Sequence, residues 1–82
     1  MERTYGRLEW PSTVPDIIRL LQEDGNRLRV FRVAMGWSQT EAAKEFGVNM
    51  KTWSCWERGE YTIPGPAARS VALEIQACLT AN

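Results

Sequence analysis

The stretch from Gln39 to Gly59, QTEAAKEFGVNMKTWSCWERG, reads as a helix, a tight turn and a second helix. Ser38 stands just ahead of it. Its side-chain oxygen can accept from an orphan amide of the first turn, and Glu41 follows three residues later, as a capping box requires. A helix is therefore expected from Gln39, with Ala42, Ala43 and Phe46 on one buried face and Thr40, Glu41, Lys44 and Glu45 outside it. Gly47 stops it, because the left-handed backbone that ends a helix carries no Cβ penalty for glycine. Val48 plugs the turn and Asn49 can cap the next helix. That helix is expected to run to Arg58, with Trp53, Trp56 and Glu57 inward and Met50, Lys51, Ser54 and Cys55 on the other side; Gly59 ends it. Two short helices joined so tightly must cross steeply, and Ala43 is the small residue where they approach most closely.

Working outward, Asn26 can cap a preceding helix that runs to Met35, with Leu28, Phe31 and Met35 inward and Gly36 as its stop. Arg32 falls on or near its buried side, where a charge needs a partner. Further back, Ser12 or Thr13 can cap, Pro15 suits a first helical turn, and Ile17, Ile18, Leu20 and Leu21 form an apolar stripe before Gly25. Beyond Gly59, residues 60–66 hold too many breakers for helix. Pro66 then opens a final helix, Ala67 to Thr80, striped by Val71, Ile75, Cys78 and Leu79. The expected architecture is all-α with five helices, residues 13–82 forming one helix-turn-helix domain around a core at 38–59. Residues 1–12 lack a helical period and are expected to be an N-terminal arm, its Arg3 and Arg7 interspersed with Glu2 and Glu9.

A second helix held out in this way fits a DNA major groove. The total charge of the 82 residues is zero, yet residues 26–58 carry six basic side chains against three acids, a local +3. The basic excess thus sits on the suspected DNA-binding part. Chemistry of other kinds lacks its residues. With no histidine and only Cys55 and Cys78, neither a zinc site nor a disulfide framework is expected. With no clustered acids and no glycine-rich phosphate loop, no enzyme and no cofactor are expected either. No apolar run approaches the roughly 18 residues of a membrane span, and MERTYG lacks the apolar core of a secretion signal, so a cytoplasmic protein is expected.

The run Arg32-x3-Gly36-Trp37-Ser38-Gln39-x2-Ala42-Ala43-x3-Gly47-Val48-x4-Trp53-x2-Trp56-Glu57-x-Gly59 resembles the lambda repressor/Cro-type helix-turn-helix family, also called the XRE family. The resemblance extends over roughly residues 26 to 66, about half the chain. It implies a lambda repressor-like fold and sequence-specific binding to double-stranded DNA. It implies a structural salt bridge between Arg32 and Glu57. It places Gln39, Asn49, Thr52 and Arg58 at DNA phosphates, with Gln39 also bracing the second helix, and Met50, Lys51, Ser54 and Cys55 at base edges. Lys51 suits guanine O6 and N7, Ser54 suits several bases, and Met50 and Cys55 suit thymine methyl groups. Trp53 departs from the pattern, which usually has a branched aliphatic residue there.

Small members of such a family serve as phage regulators, as repressors in anti-CRISPR operons and as autoregulatory antitoxins. The role implied is a transcriptional repressor acting as a homodimer on an inverted repeat, with the final helix and the Tyr61–Pro66 loop the first candidates for the dimer contact. The alternative is an antitoxin or adaptor whose main partner is another protein, such as a toxin. Neutral charge, Met50, Cys55 and Trp10 favour it; Lys51, Gln39, Asn49 and the local +3 favour DNA.

Overall fold

Local signals account for most of the helix ends in the computed structural model, which describes residues 10–80. Among these residues there are five helices: α1 Val14–Glu23, α2 Gly25–Ala34, α3 Gln39–Glu45, α4 Met50–Arg58 and α5 Gly65–Thr80. The capping box at α3 is complete, with Glu41 N–H donating to Ser38 Oγ at 3.0 Å and Ser38 N–H donating to Glu41 Oε1 at 2.8 Å. Asn49 caps α4 by accepting from Thr52 N–H at 2.8 Å. Gly47 and Gly59 adopt positive φ of 72° and 78°, the left-handed backbone that closes α3 and α4.

The junction of α1 and α2 differs from expectation. Gly25 does not stop α1 and Asn26 does not cap α2; Asp24 does both. Its N–H bonds Leu20 C=O at 2.9 Å, while its carboxylate accepts from Asn26 N–H at 3.0 Å. Gly25 is instead the first residue of α2, and the reason is a close approach. A Cβ on Gly25 would lie 2.3 Å from the carbonyl oxygen of Trp56 and 3.2 Å from that of Glu57. The start of α2 is seated directly on the backbone of α4, and only glycine leaves the room. Thr13, the residue ahead of α1, makes no capping bond; its hydroxyl donates to Asp16 Oδ2 at 3.0 Å.

The core is built from Ile17 and Leu21 of α1, Leu28 and Phe31 of α2, Ala42 and Ala43 of α3, Trp53 and Trp56 of α4, Ile63, and Ala68, Val71, Ala72 and Ile75 of α5. Helix α5 covers α1, while α2 and α3 both pack on α4. Helix α5 begins at Gly65, two residues ahead of the expected Ala67, and its inward face carries Ala68, Val71, Ala72 and Ile75. Leu79 continues that face half-buried. Cys78, expected in the stripe, lies exposed with its Sγ 3.9 Å from Met35 Sδ. The loop before α5 is tied back where Gln22 Nε2 donates to Ile63 C=O at 3.1 Å. Trp10 packs against the body, its ring 5.6 Å from the Arg27 guanidinium carbon. Arg3 and Arg7 of the expected arm lie outside the described residues.

Gly25→Ala should force α2 away from α4 and, as an overpacking change, cost about 1–3 kcal/mol. A thermal melt checks it: at roughly 4–8 °C per kcal/mol for a domain of this size, the loss is easily read. A wild-type melting temperature would mean that the two backbones are not in contact.

Candidate nucleic-acid interface

Helix α4 is held from below by aromatic packing. Trp53 is fully buried, and its ring stacks on Phe46 with centroids 5.6 Å apart and planes 11° from parallel. Phe46 in turn meets Phe31 and Trp37, each at 6.1 Å, and Trp53 meets Trp56 at 6.0 Å. The large ring at position 53 is accommodated by this cluster. It also brings a hydrogen-bond donor that an aliphatic residue would lack.

That donor reaches Glu57, whose side chain is only 3 % exposed. Its Oε2 accepts from Trp53 Nε1–H and from Arg32 Nε at 2.6 Å; its Oε1 accepts from Gln39 Nε2 at 3.0 Å and Arg32 Nη2 at 3.3 Å. Arg32 completes its own set by donating from Nη1 to Trp37 C=O at 2.9 Å. One carboxylate thereby fastens α4 to α2 and α3. Burial alone would raise the Glu57 pKa, but the hydrogen bonds from Arg32, Gln39 and Trp53, with the nearby Arg32 charge, outweigh it and hold the carboxyl below its ordinary 4.5.

The outward side of α4 divides into two parts. At its N-terminal end Asn49, Met50 and Lys51 are exposed, Met50 by 46 %, and Thr52 is half-buried. Further along, Ser54 and Cys55 are only 8 % and 7 % exposed, although their helical positions predict an open face. The Arg58 side chain lies back over them. Its Nη1 donates to Ser54 Oγ at 2.7 Å and its Nη2 approaches Cys55 Sγ at 3.8 Å. Helical spacing alone could not reveal this, because the cover comes from a long side chain one turn on.

The same guanidinium grips Glu60, with Nε to Oε2 at 3.0 Å and Nη2 to Oε1 at 3.1 Å. The hydrogen bond to Glu60, reinforced by its charge, raises the Arg58 pKa. The hydrogen bonds from Arg58 and Cys55, with the Arg58 charge, lower that of Glu60. Helical period gives Glu60 no role, since it lies beyond the end of α4. The signal was the Arg58-x-Glu60 spacing across a helix-ending glycine.

The arrangement offers hydrogen-bond donors and one exposed apolar side chain, Met50, at the N-terminal end of α4. Among the described residues no group of three or more His, Cys, Asp or Glu side chains gathers to hold a metal ion. No helix among them is long and apolar enough to cross a membrane. Compared with known protein families, residues 25–75 match the one described as a helix-turn-helix domain. No curated protein and no solved structure matches the chain.

Two outcomes test the Glu57 cluster. Arg32→Ala strands a buried carboxylate and should cost about 3–5 kcal/mol, a large share of the stability of so small a domain; an unchanged melt would show that the pair contributes nothing. Because the folded Glu57 pKa is lowered, its stabilisation is complete above about its ordinary value and is lost as pH falls through the folded value. Melting temperature measured from pH 7 down to pH 2 should therefore fall less steeply in Glu57→Gln than in wild type, from a lower start. Parallel curves would refute the assignment.

Proposed function

The chain belongs to the XRE-type helix-turn-helix family of DNA-binding domains, whose match spans more than half of it, and from that premise we propose that it is a small transcriptional repressor reading an inverted-repeat operator as a homodimer. The observation that carries this is the state of α4. Its inner side is fastened by Glu57 while Asn49, Met50 and Lys51 stand exposed at its N-terminal end, the end that recognition helices present to base edges. The partial positive charge of a helix N-terminus also favours the approach of phosphate.

Contacts divide into those that position and those that specify. Lys51 donates to guanine O6 and N7, and Met50 covers a thymine methyl group. Ser54 and Cys55 join them as base contacts once the Arg58 side chain lifts. Asn49 and Thr52 flank the helix start at the phosphates. Asn49 spends its carbonyl on the cap and keeps its amide N–H groups to donate. Gln39 reaches phosphate from the start of α3 while bracing Glu57, and Arg58 reaches it from the far end of α4. One helix touching a few bases discriminates weakly, since each wrong base pair costs about 1–3 kcal/mol. A two-fold pair of domains doubles the recognised site, with half-sites about 34 Å apart. Such a regulator works in the cytoplasm, where the DNA is.

Selection of bound duplexes from a random library, with intact protein and with Lys51→Ala, tests the proposal. A palindromic motif that relaxes at one symmetric pair of positions in the variant, with affinity falling as salt rises at a slope of about −0.9 per neutralised phosphate, is the expected result. A folded protein that enriches nothing at low salt would overturn it. That outcome would favour an antitoxin or adaptor role with another protein as main partner, for which the exposed Tyr61 and Met50 offer apolar surface.

A further inference from the structure

We propose that Glu60 is a positioning residue that sets the DNA affinity of α4 by holding the Arg58 guanidinium in the place of a phosphate. The proposal rests on the DNA-binding reading of α4. A carboxylate and a phosphate present the guanidinium fork with the same pair of anionic oxygens, and Glu60 engages it at two points, 3.0 and 3.1 Å. The backbone fixes where that carboxylate stands. Gly59 turns the chain with φ 78°, and Glu60 N–H bonds Cys55 C=O at 3.0 Å, so the acid is carried on the closing turn of the helix it serves.

The consequences fall on both kinds of contact. A guanidinium held by Glu60 also stays on Ser54 Oγ and beside Cys55 Sγ, and so closes two of the four positions that face the bases. Binding DNA through Arg58 then means exchanging one anion for another rather than neutralising a free phosphate with a free cation. The free chain therefore binds more weakly, and with a shallower salt dependence, than its count of basic residues implies.

Glu60→Gln should bind the selected operator about 3- to 10-fold more tightly at low salt, and its salt slope should steepen by about 0.9, the value of one further phosphate. Removing any negative charge near DNA helps somewhat, so the same change is also measured in an Arg58→Gln background. There the gain should shrink to that general effect. A second readout needs no DNA: iodoacetamide should alkylate Cys55 several-fold faster in Glu60→Gln, with the rate at exposed Cys78 unchanged, followed peptide by peptide by mass spectrometry. An equal affinity gain in both backgrounds, or an unaltered Cys55 rate, overturns the proposal while leaving DNA binding intact. A wild-type chain that binds no duplex overturns the DNA reading and this proposal with it.

Discussion

A carboxylate taken out of water stays ionised only if the protein supplies the hydrogen bonds that water would have made. Glu57 receives them from Arg32 on α2, Gln39 on α3 and Trp53 on its own helix, and that requirement constrains nearly everything around it. The donors must converge on one point, so the three helices have little freedom to slide or rotate against one another. The stacked Trp53 and Phe46 rings and the seat of Gly25 on the α4 backbone are the packing solutions compatible with that point. A cluster of this sort adds less net stability than its short contacts suggest, because desolvation offsets much of the attraction. Its larger effect is on orientation.

Orientation is what a DNA-binding helix needs. Base-edge recognition depends on side chains arriving at fixed positions in a groove, and a helix that rocks on its support would blur them. In this chain the fastening lies at the inner side and C-terminal half of α4, and Asn49, Met50 and Lys51 at the N-terminal end are exposed. The neutral total charge coexists with this role because the basic excess is confined to residues 26–58. At the far end of the same helix the exposed Arg58–Glu60 pair sets part of that local charge.

Several features of the fold were legible residue by residue. The Ser38 to Glu41 capping box, the Asn49 cap and the glycines at 47 and 59 are local devices, settled by groups within four residues of one another, and the helix ends follow from them. At the α1–α2 junction Gly25 reads as the stop and Asn26 as the cap, whereas Asp24 takes both places. What holds Gly25 at the start of α2 is a contact with α4, more than 30 residues away in sequence, that leaves no room for a Cβ. Period alone puts Cys78 in the α5 stripe, whereas the buried face runs through Ala68, Val71, Ala72 and Ile75 to Leu79 and leaves Cys78 exposed.

The candidate site shows the same division. The family pattern paired Arg32 with Glu57 and had Gln39 brace the second helix, and period alone set Met50 and Lys51 outward. The donor from Trp53 and the cover that Arg58 places over Ser54 and Cys55 required coordinates, since long side chains choose among rotamers by what they meet. From its sequence alone this protein is an all-helical domain with a helix-turn-helix, because periodicity, caps and glycines act over a few residues. Which outward side chains of that helix stand open and which are closed was decided by tertiary structure, because cover comes from groups that meet only after the chain has folded.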